Sequence, residues 1–162
     1  MLKKPLNVAL LAVALSAAVK LFVFQSGNPD ISLVPTYSYF LWLLLAIAGR
    51  TWAAKQVLPD GPYRYYAVAG MQVAAIYAVL IALFTYTYYA AIDVDFFANK
   101  TTENIRLLEE SGATPKNIKQ FKKNAATIYD PFLHSTITLF GFLMIGVVYS
   151  LVIGGLIRKM PR

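Results

Sequence analysis

Polar and apolar residues in this chain are segregated into long blocks, longer than a soluble core needs. Apolar runs cover residues 5–24, 36–54, 65–92 and 132–157, and the one long hydrophilic stretch is 95–130. The third run is the most informative. Tyr63, Tyr65 and Tyr66 precede an apolar interior from Ala67 to Thr85, and Tyr86, Tyr88 and Tyr89 follow it. At about 1.5 Å per helical residue, Tyr66 and Tyr86 stand roughly 30 Å apart, the thickness of a bilayer's hydrocarbon core. Phenol rings favour the membrane interface, with the ring in lipid and the hydroxyl wet. The pattern predicts an all-α polytopic membrane protein. Four transmembrane helices, with an amphipathic helical connection between the third and the fourth, form a single membrane domain over residues 1–162.

The other runs differ in how they begin and end. Lys3 and Lys4 precede the first, which is broken only by Asn7, Ser16 and Lys20. A basic start, an apolar core and the small residues Ala12, Ala14, Ser16, Ala17 and Ala18 also describe a cleaved signal peptide. The run is long enough to cross a membrane, so it is read as a retained span. Lys20 lies near its far end, where the stem can rest in lipid while the ammonium reaches water. Gly27, Asn28, Pro29 and Asp30 have loop composition. The second span has a short strictly apolar core and is expected to continue through Gly49 into the interface, anchored by Arg50, Trp52 and Lys55. Asp60, Gly61 and Pro62 make a turn. The third helix is expected to run on through Asp93 to Phe96 and Phe97.

The stretch 95–130 carries two helical signals. Ile105 and Leu108 share one side of a helix from Glu103 to Ser111, and Gly112 is placed to end it. Thr114 and Pro115 then read as an N-cap and first helical residue. Ile118, Phe121, Ala125 and Ile128 recur at spacings of three, four and three, an apolar stripe on a helix made largely of Lys, Asn and Gln. The stripe is expected to cover the membrane surface, the ends of the spans or its copy in a second subunit. Asp130 and Pro131 repeat the cap-and-start signal ahead of the fourth span.

Composition agrees with this pattern, at 58% hydrophobic and 14% charged residues. A net charge of +7 would suit nucleic acid, but the bases sit beside the apolar runs, so no nucleic-acid partner is expected. With four spans, one side collects Lys3, Lys4, Arg50, Lys55, Arg64, Arg158, Lys159 and Arg162 against Asp60 alone. The other collects Asp30, Asp93, Asp95, Glu103, Glu109, Glu110 and Asp130 against Lys100, Arg106, Lys116, Lys119, Lys122 and Lys123. The positive-inside rule places both termini in the cytoplasm and the long connection outside.

Candidate packing positions are Gly70 and Ala74, four apart on the third span, and Gly146, Ser150 and Gly154 on the fourth. Small residues at this spacing let a neighbouring backbone approach closely. Gln72, Tyr77 and Tyr149 are the intramembrane polar candidates, each needing a partner in lipid. Polar glue between helices is favoured over a ligand path for all three. No catalytic, metal or cofactor site is expected. His134 has no second His or Cys to complete a ligand set, and Asp93 and Asp95 would point about 200° apart on a regular helix. Nor is there a Ser-His-Asp framework, a phosphate-cradling glycine loop or a dinucleotide fingerprint.

The run Ala82 to Asp95, followed by Phe96 and Phe97, ends the third span in a Tyr-Tyr-x-x-Ile-Asp pattern. Tyr88, Tyr89, Ile92, Asp93, Asp95 and Phe96, with Gly141 and Gly146 in the last span, are its best-matching pieces. The chain resembles the small four-span bacterial inner-membrane proteins catalogued as domain of unknown function 4199, departing at Val94, where members often carry proline. The resemblance implies fold and an inner-membrane location and carries no activity. The expected function is non-enzymatic: a structural or accessory protein acting by helix association among membrane lipids, as a homo-oligomer or within a larger membrane assembly. A small-solute or lipid carrier, and a helper of a membrane enzyme handling lipid-linked substrates through Arg50, Lys55 and Arg64, are the alternatives.

Overall fold

A computed structural model of the chain describes residues 4–28 and 31–161, at Ala126 the backbone alone. Lys3, Pro29, Asp30 and Arg162, which enter the loop and charge arguments, lie outside the described residues. Within them the chain is all-helical, with six helices and no strand: α1 (Pro5–Ser26), α2 (Val34–Val57), α3 (Tyr63–Ala91), α4 (Phe96–Glu110), α5 (Pro115–Ile128) and α6 (Pro131–Lys159). Of these, α1, α3 and α6 are long and apolar enough to cross a membrane. α2 is long enough, but Ser38, Gly49, Arg50, Thr51, Lys55 and Gln56 dilute its apolar content. The four expected spans therefore stand as three by length and composition.

The outward faces are as apolar as the inward ones. Leu10, Leu11 and Phe22 of α1, Val68, Val79 and Leu83 of α3, and Phe140, Met144, Val148 and Val152 of α6 are all exposed, Met144 by 71%. A helix facing water would carry polar residues there, whereas a helix apolar all round has lipid or protein on every side. This is a membrane protein.

Contacts gather into two compact units, one comprising the described residues up to Ile81 and from Leu139 onward, the other Ala82–Thr138. In the first, α1 packs on α2, and α3 meets α6 along their small residues. A Cβ on Gly146 would stand 2.6 Å from that of Ala74, and one on Gly154 would stand 3.0 Å from the Ala67 nitrogen. One on Gly70 would lie 2.9 Å from Ser150 Oγ and 3.0 Å from Ile47 Cγ2. Position 67 faces 154, 70 faces 150 and 74 faces 146, so the two helices run antiparallel along this seam. Leu43 and Ile47 of α2 and Val73, Tyr77, Ala78 and Ile81 of α3 are sealed from solvent.

In the second unit α4 packs on α5. The expected continuous helix to Phe97 is instead broken. The amides of Ile92 and Asp93 both donate to Tyr88 O at 2.9 Å, the Phe96 amide donates to Asp93 O, and the chain turns before α4 starts at Phe96. The helix ends in the connection follow their local signals. Gly112 takes φ +76°, which lets the Ala113 amide reach back to Leu108 O at 3.0 Å. Thr114 Oγ1 accepts from the Asn117 amide ahead of Pro115, and Asp130 Oδ1 accepts from the Leu133 amide at 2.9 Å ahead of Pro131. Lys100 Nζ lies 2.7 Å from Glu103 Oε2 and holds that carboxyl below its usual range.

The seam makes a signed prediction. Gly146→Ala drives a methyl into Ala74, an overpacking cost of about 1–3 kcal/mol, against a helix-propensity gain of about 1 kcal/mol. Thermal unfolding of the detergent-purified chain should show Gly146→Ala as destabilising alone and as stabilising in an Ala74→Gly background, where the opposing methyl is gone. Equal effects in both backgrounds would contradict the close approach.

Candidate functional site

Tyr77 is the point in the first unit at which α1, α2, α3 and α6 converge. It lies on the face of α3 that also carries Tyr66, Val73 and Ile81, all fully buried. Its hydroxyl donates to Tyr39 O of α2 at 2.9 Å and lies 3.0 Å from Ser16 Oγ of α1. Ser16 Oγ also lies 2.9 Å from Ala12 O, to which it donates. Two hydroxyl protons are shared among these three short contacts, so two can be full hydrogen bonds at once, and those formed are strengthened by the absence of competing water. The Phe142 ring of α6 meets the Tyr77 ring edge-on at 5.7 Å and Tyr39 edge-on at 6.3 Å. Apolar packing and a polar link are combined in one side chain, the use for which a buried tyrosine is suited.

The sequence-nominated residues are not gathered at one place. Gly70, Ala74, Gly146, Ser150 and Gly154 lie along the α3–α6 seam, where Ser150 Oγ turns back to donate to Gly146 O at 2.6 Å. Tyr77 is fully buried, Tyr149 is partly exposed and Gln72 is exposed. Of the stripe, Ala125 is buried, Ile118 and Phe121 are partly covered, and Ile128 is 57% exposed. Ser16 carries more than its sequence position suggested, its only signal there being a hydroxyl inside an apolar run.

The tyrosine belts need correction. Tyr65 and Tyr86 are exposed, but Tyr66, Tyr88 and Tyr89 are buried against protein. Tyr66 closes the turn before α3, donating to the Leu58 and Pro59 carbonyls and accepting from the Gly61 amide at 2.9 Å. Tyr88 donates to Asp93 Oδ2 at 3.3 Å across the break between α3 and α4. Tyr89 gathers the rings of Phe96, Phe97 and His134 at centroid distances of 4.7, 4.9 and 5.3 Å. The aromatic and acidic signature at the end of α3 is therefore a packed corner within the second unit, and His134 belongs to its ring cluster.

Lys55, expected as an interface anchor, is 5% exposed. Its ammonium donates to Ile157 O at 2.7 Å and to Met160 O. These carbonyls lie at the carboxyl end of α6, where backbone acceptors lack helical partners and a cation is favoured. The arrangement removes Lys55 from the basic set with Arg50 and Arg64. Those two remain together, lining a cleft of about 450 Å³ with Pro62, Tyr65, Val68, Ala69 and Gln72. Arg50 Nε is shielded from solvent and has no hydrogen-bond acceptor among the described residues, and the Thr51 and Thr85 hydroxyls are likewise shielded without a partner. A second, apolar cleft lies between α1 and α2, bounded by Leu11, Leu15, Trp42 and Leu45.

Among the described residues no cluster of His, Cys, Asp or Glu could hold a metal ion. A family model described as a protein of unknown function, DUF4199, matches residues 7–159. No curated protein and no solved structure matches the chain.

The hydroxyl link at Tyr77 has a measurable consequence. Tyr77→Phe should cost about 1 kcal/mol in thermal unfolding of the detergent-purified chain. Ser16→Ala should cost less in the Tyr77→Phe background than in the parent chain, because the contact between the two hydroxyls is already lost there and only the Ser16 bond to Ala12 O remains to be removed. Fully additive losses would show that the two hydroxyls do not act together.

Proposed function

The chain belongs to the DUF4199 family of proteins of unknown function, and from that premise we propose that it is a non-enzymatic, multi-pass protein of the bacterial inner membrane that acts by helix association. On this reading α2 is a fourth span, both termini are cytoplasmic, and the α4–α5 connection is extracytoplasmic. What supports a crossing α2 is its own outward face, where Leu41, Leu44 and Leu45 are exposed like the apolar residues of its neighbours. Arg50 and Lys55 fall near the end of that helix, on the side to which the positive-inside rule assigns bases.

The observation that carries association over chemistry is the division of α6 into two faces. Gly146, Ser150 and Gly154 are used up against α3 of the same chain. The opposite face, with Phe140, Met144, Val148 and Val152, stays exposed and wholly apolar. A partner would therefore meet this outward face and not the small-residue ladder, with lipid as its competitor. The carrier alternative asks Gln72, Tyr77 and Tyr149 to share a path. Tyr77 is instead sealed in packing, and the cleft lined by Gln72 includes neither of the other two.

Extraction of the tagged chain from its own membranes in a mild detergent, with mass spectrometry of what remains through size exclusion, tests the proposal. A homo-oligomer or a foreign membrane protein at constant stoichiometry is expected, and should be lost on Met144→Arg with Val148→Arg. A monomer that carries only lipid would overturn the association reading.

A further inference from the structure

The cleft between α2 and the first turns of α3 offers more donors than the protein itself uses. Arg50 comes from the end of α2, Arg64 from the first turn of α3, and Gln72 from two turns further along, with no acidic side chain lining the space. Arg50 and Arg64 bring two positive charges to a lining that holds no carboxylate to neutralise them, and a cation that lacks a counter-charge favours an anionic partner. The remaining lining is apolar or amphipathic, namely Pro62, Tyr65, Val68 and Ala69, and Val68 is itself exposed on the outer face of α3. Planar guanidinium groups match the paired oxygens of a phosphate, and an amide adds a further donor. An apolar wall beside them suits a chain or a glycerol backbone attached to that phosphate.

We infer that this cleft binds a phosphate-ester anion through Arg50 and Arg64, with Gln72 as a supporting donor. The chemistry is shared by two sources, the headgroup of an anionic phospholipid and a soluble phosphate monoester. The proposed crossing of α2 sets only the depth of the cleft, at the headgroup level of the cytoplasmic leaflet. Binding through the two arginines is read separately, so it can fail while the association reading stands.

The test is native mass spectrometry of the full chain in detergent, titrated with phosphatidylglycerol, with phosphatidylcholine and, separately, with glycerol 3-phosphate. Phosphatidylglycerol should be retained at least about tenfold better than phosphatidylcholine, the ratio that one charged hydrogen-bonding group supplies. Arg50→Gln with Arg64→Gln should abolish that preference. Lys116→Gln with Lys119→Gln removes the same charge from α5 and should leave it intact. Glycerol 3-phosphate bound with the same arginine dependence would support the site and assign it to a soluble ester. Three results would overturn the inference: no preference for either anion, a preference that survives the arginine changes, or an equal loss in the α5 control. Should the arginine variant fail to fold, Val68→Trp fills the cleft without changing charge. Undiminished binding in that variant would likewise overturn it.

Discussion

Gly146 of α6 approaches Ala74 of α3 so closely that no further carbon fits between them, and Gly154 repeats the approach at the backbone of Ala67. In lipid the hydrophobic effect does not drive one apolar helix onto another, because the tails are as apolar as leucine. What remains is dispersion between well-fitted surfaces and hydrogen bonds shielded from water. Backbones brought together by glycine and alanine gain the first over a long contact. The third member of the seam, Gly70, also touches Ile47, so the same constraint sets α2 against the pair. Tyr77 then falls where its hydroxyl reaches Ser16 and the Tyr39 carbonyl.

Polar groups inside the first unit are few, and most are committed to holding it together. Ser16, Tyr66, Tyr77 and Ser150 have partners in the fold, and Lys55 satisfies carbonyls at the end of α6. Arg50 Nε and Thr51 Oγ1 are shielded without a hydrogen-bond partner among the described residues, and Arg50 also lines the open cleft with Arg64. Among the described residues, hydroxyls such as those of Ser16, Tyr66 and Tyr77 serve packing, while the cleft lined by Arg50 and Arg64 and the apolar outer faces of the helices stay open.

Much of this was legible in the sequence because the bilayer imposes strong local rules. Length and apolarity mark α1, α3 and α6, and Gly112, Thr114 with Pro115, and Asp130 with Pro131 sit at helix boundaries where their backbone preferences place them. The family resemblance, carried on Tyr88 to Phe96, is met by a match over residues 7–159. What was not legible depends on contacts between distant segments. A tyrosine near a span end suits an interface or a buried acceptor equally, and only folding shows that Tyr66 closes a turn and Tyr89 sits among rings. Lys55 reads as an anchor until the end of α6, a hundred residues later, supplies its carbonyls. The break after Ala91 was hidden because Val94 lacks the conformational mark that a proline would leave. α2 fell between categories, since its polar residues serve the interior as much as the interface.

The small-residue ladder of α6 is used within the chain, against α3. The protein has no cysteine, so a single engineered pair reports cleanly. A Cβ on Gly154 would lie 3.4 Å from that of Ala67, close to the spacing of about 3.5–4.5 Å that a disulfide requires. Ala67→Cys with Gly154→Cys, oxidised in native membranes and analysed by mass, should give a disulfide inside a single chain. A disulfide-linked dimer, or two free thiols under conditions that oxidise a control pair, would contradict the account and move the seam to an interface between copies.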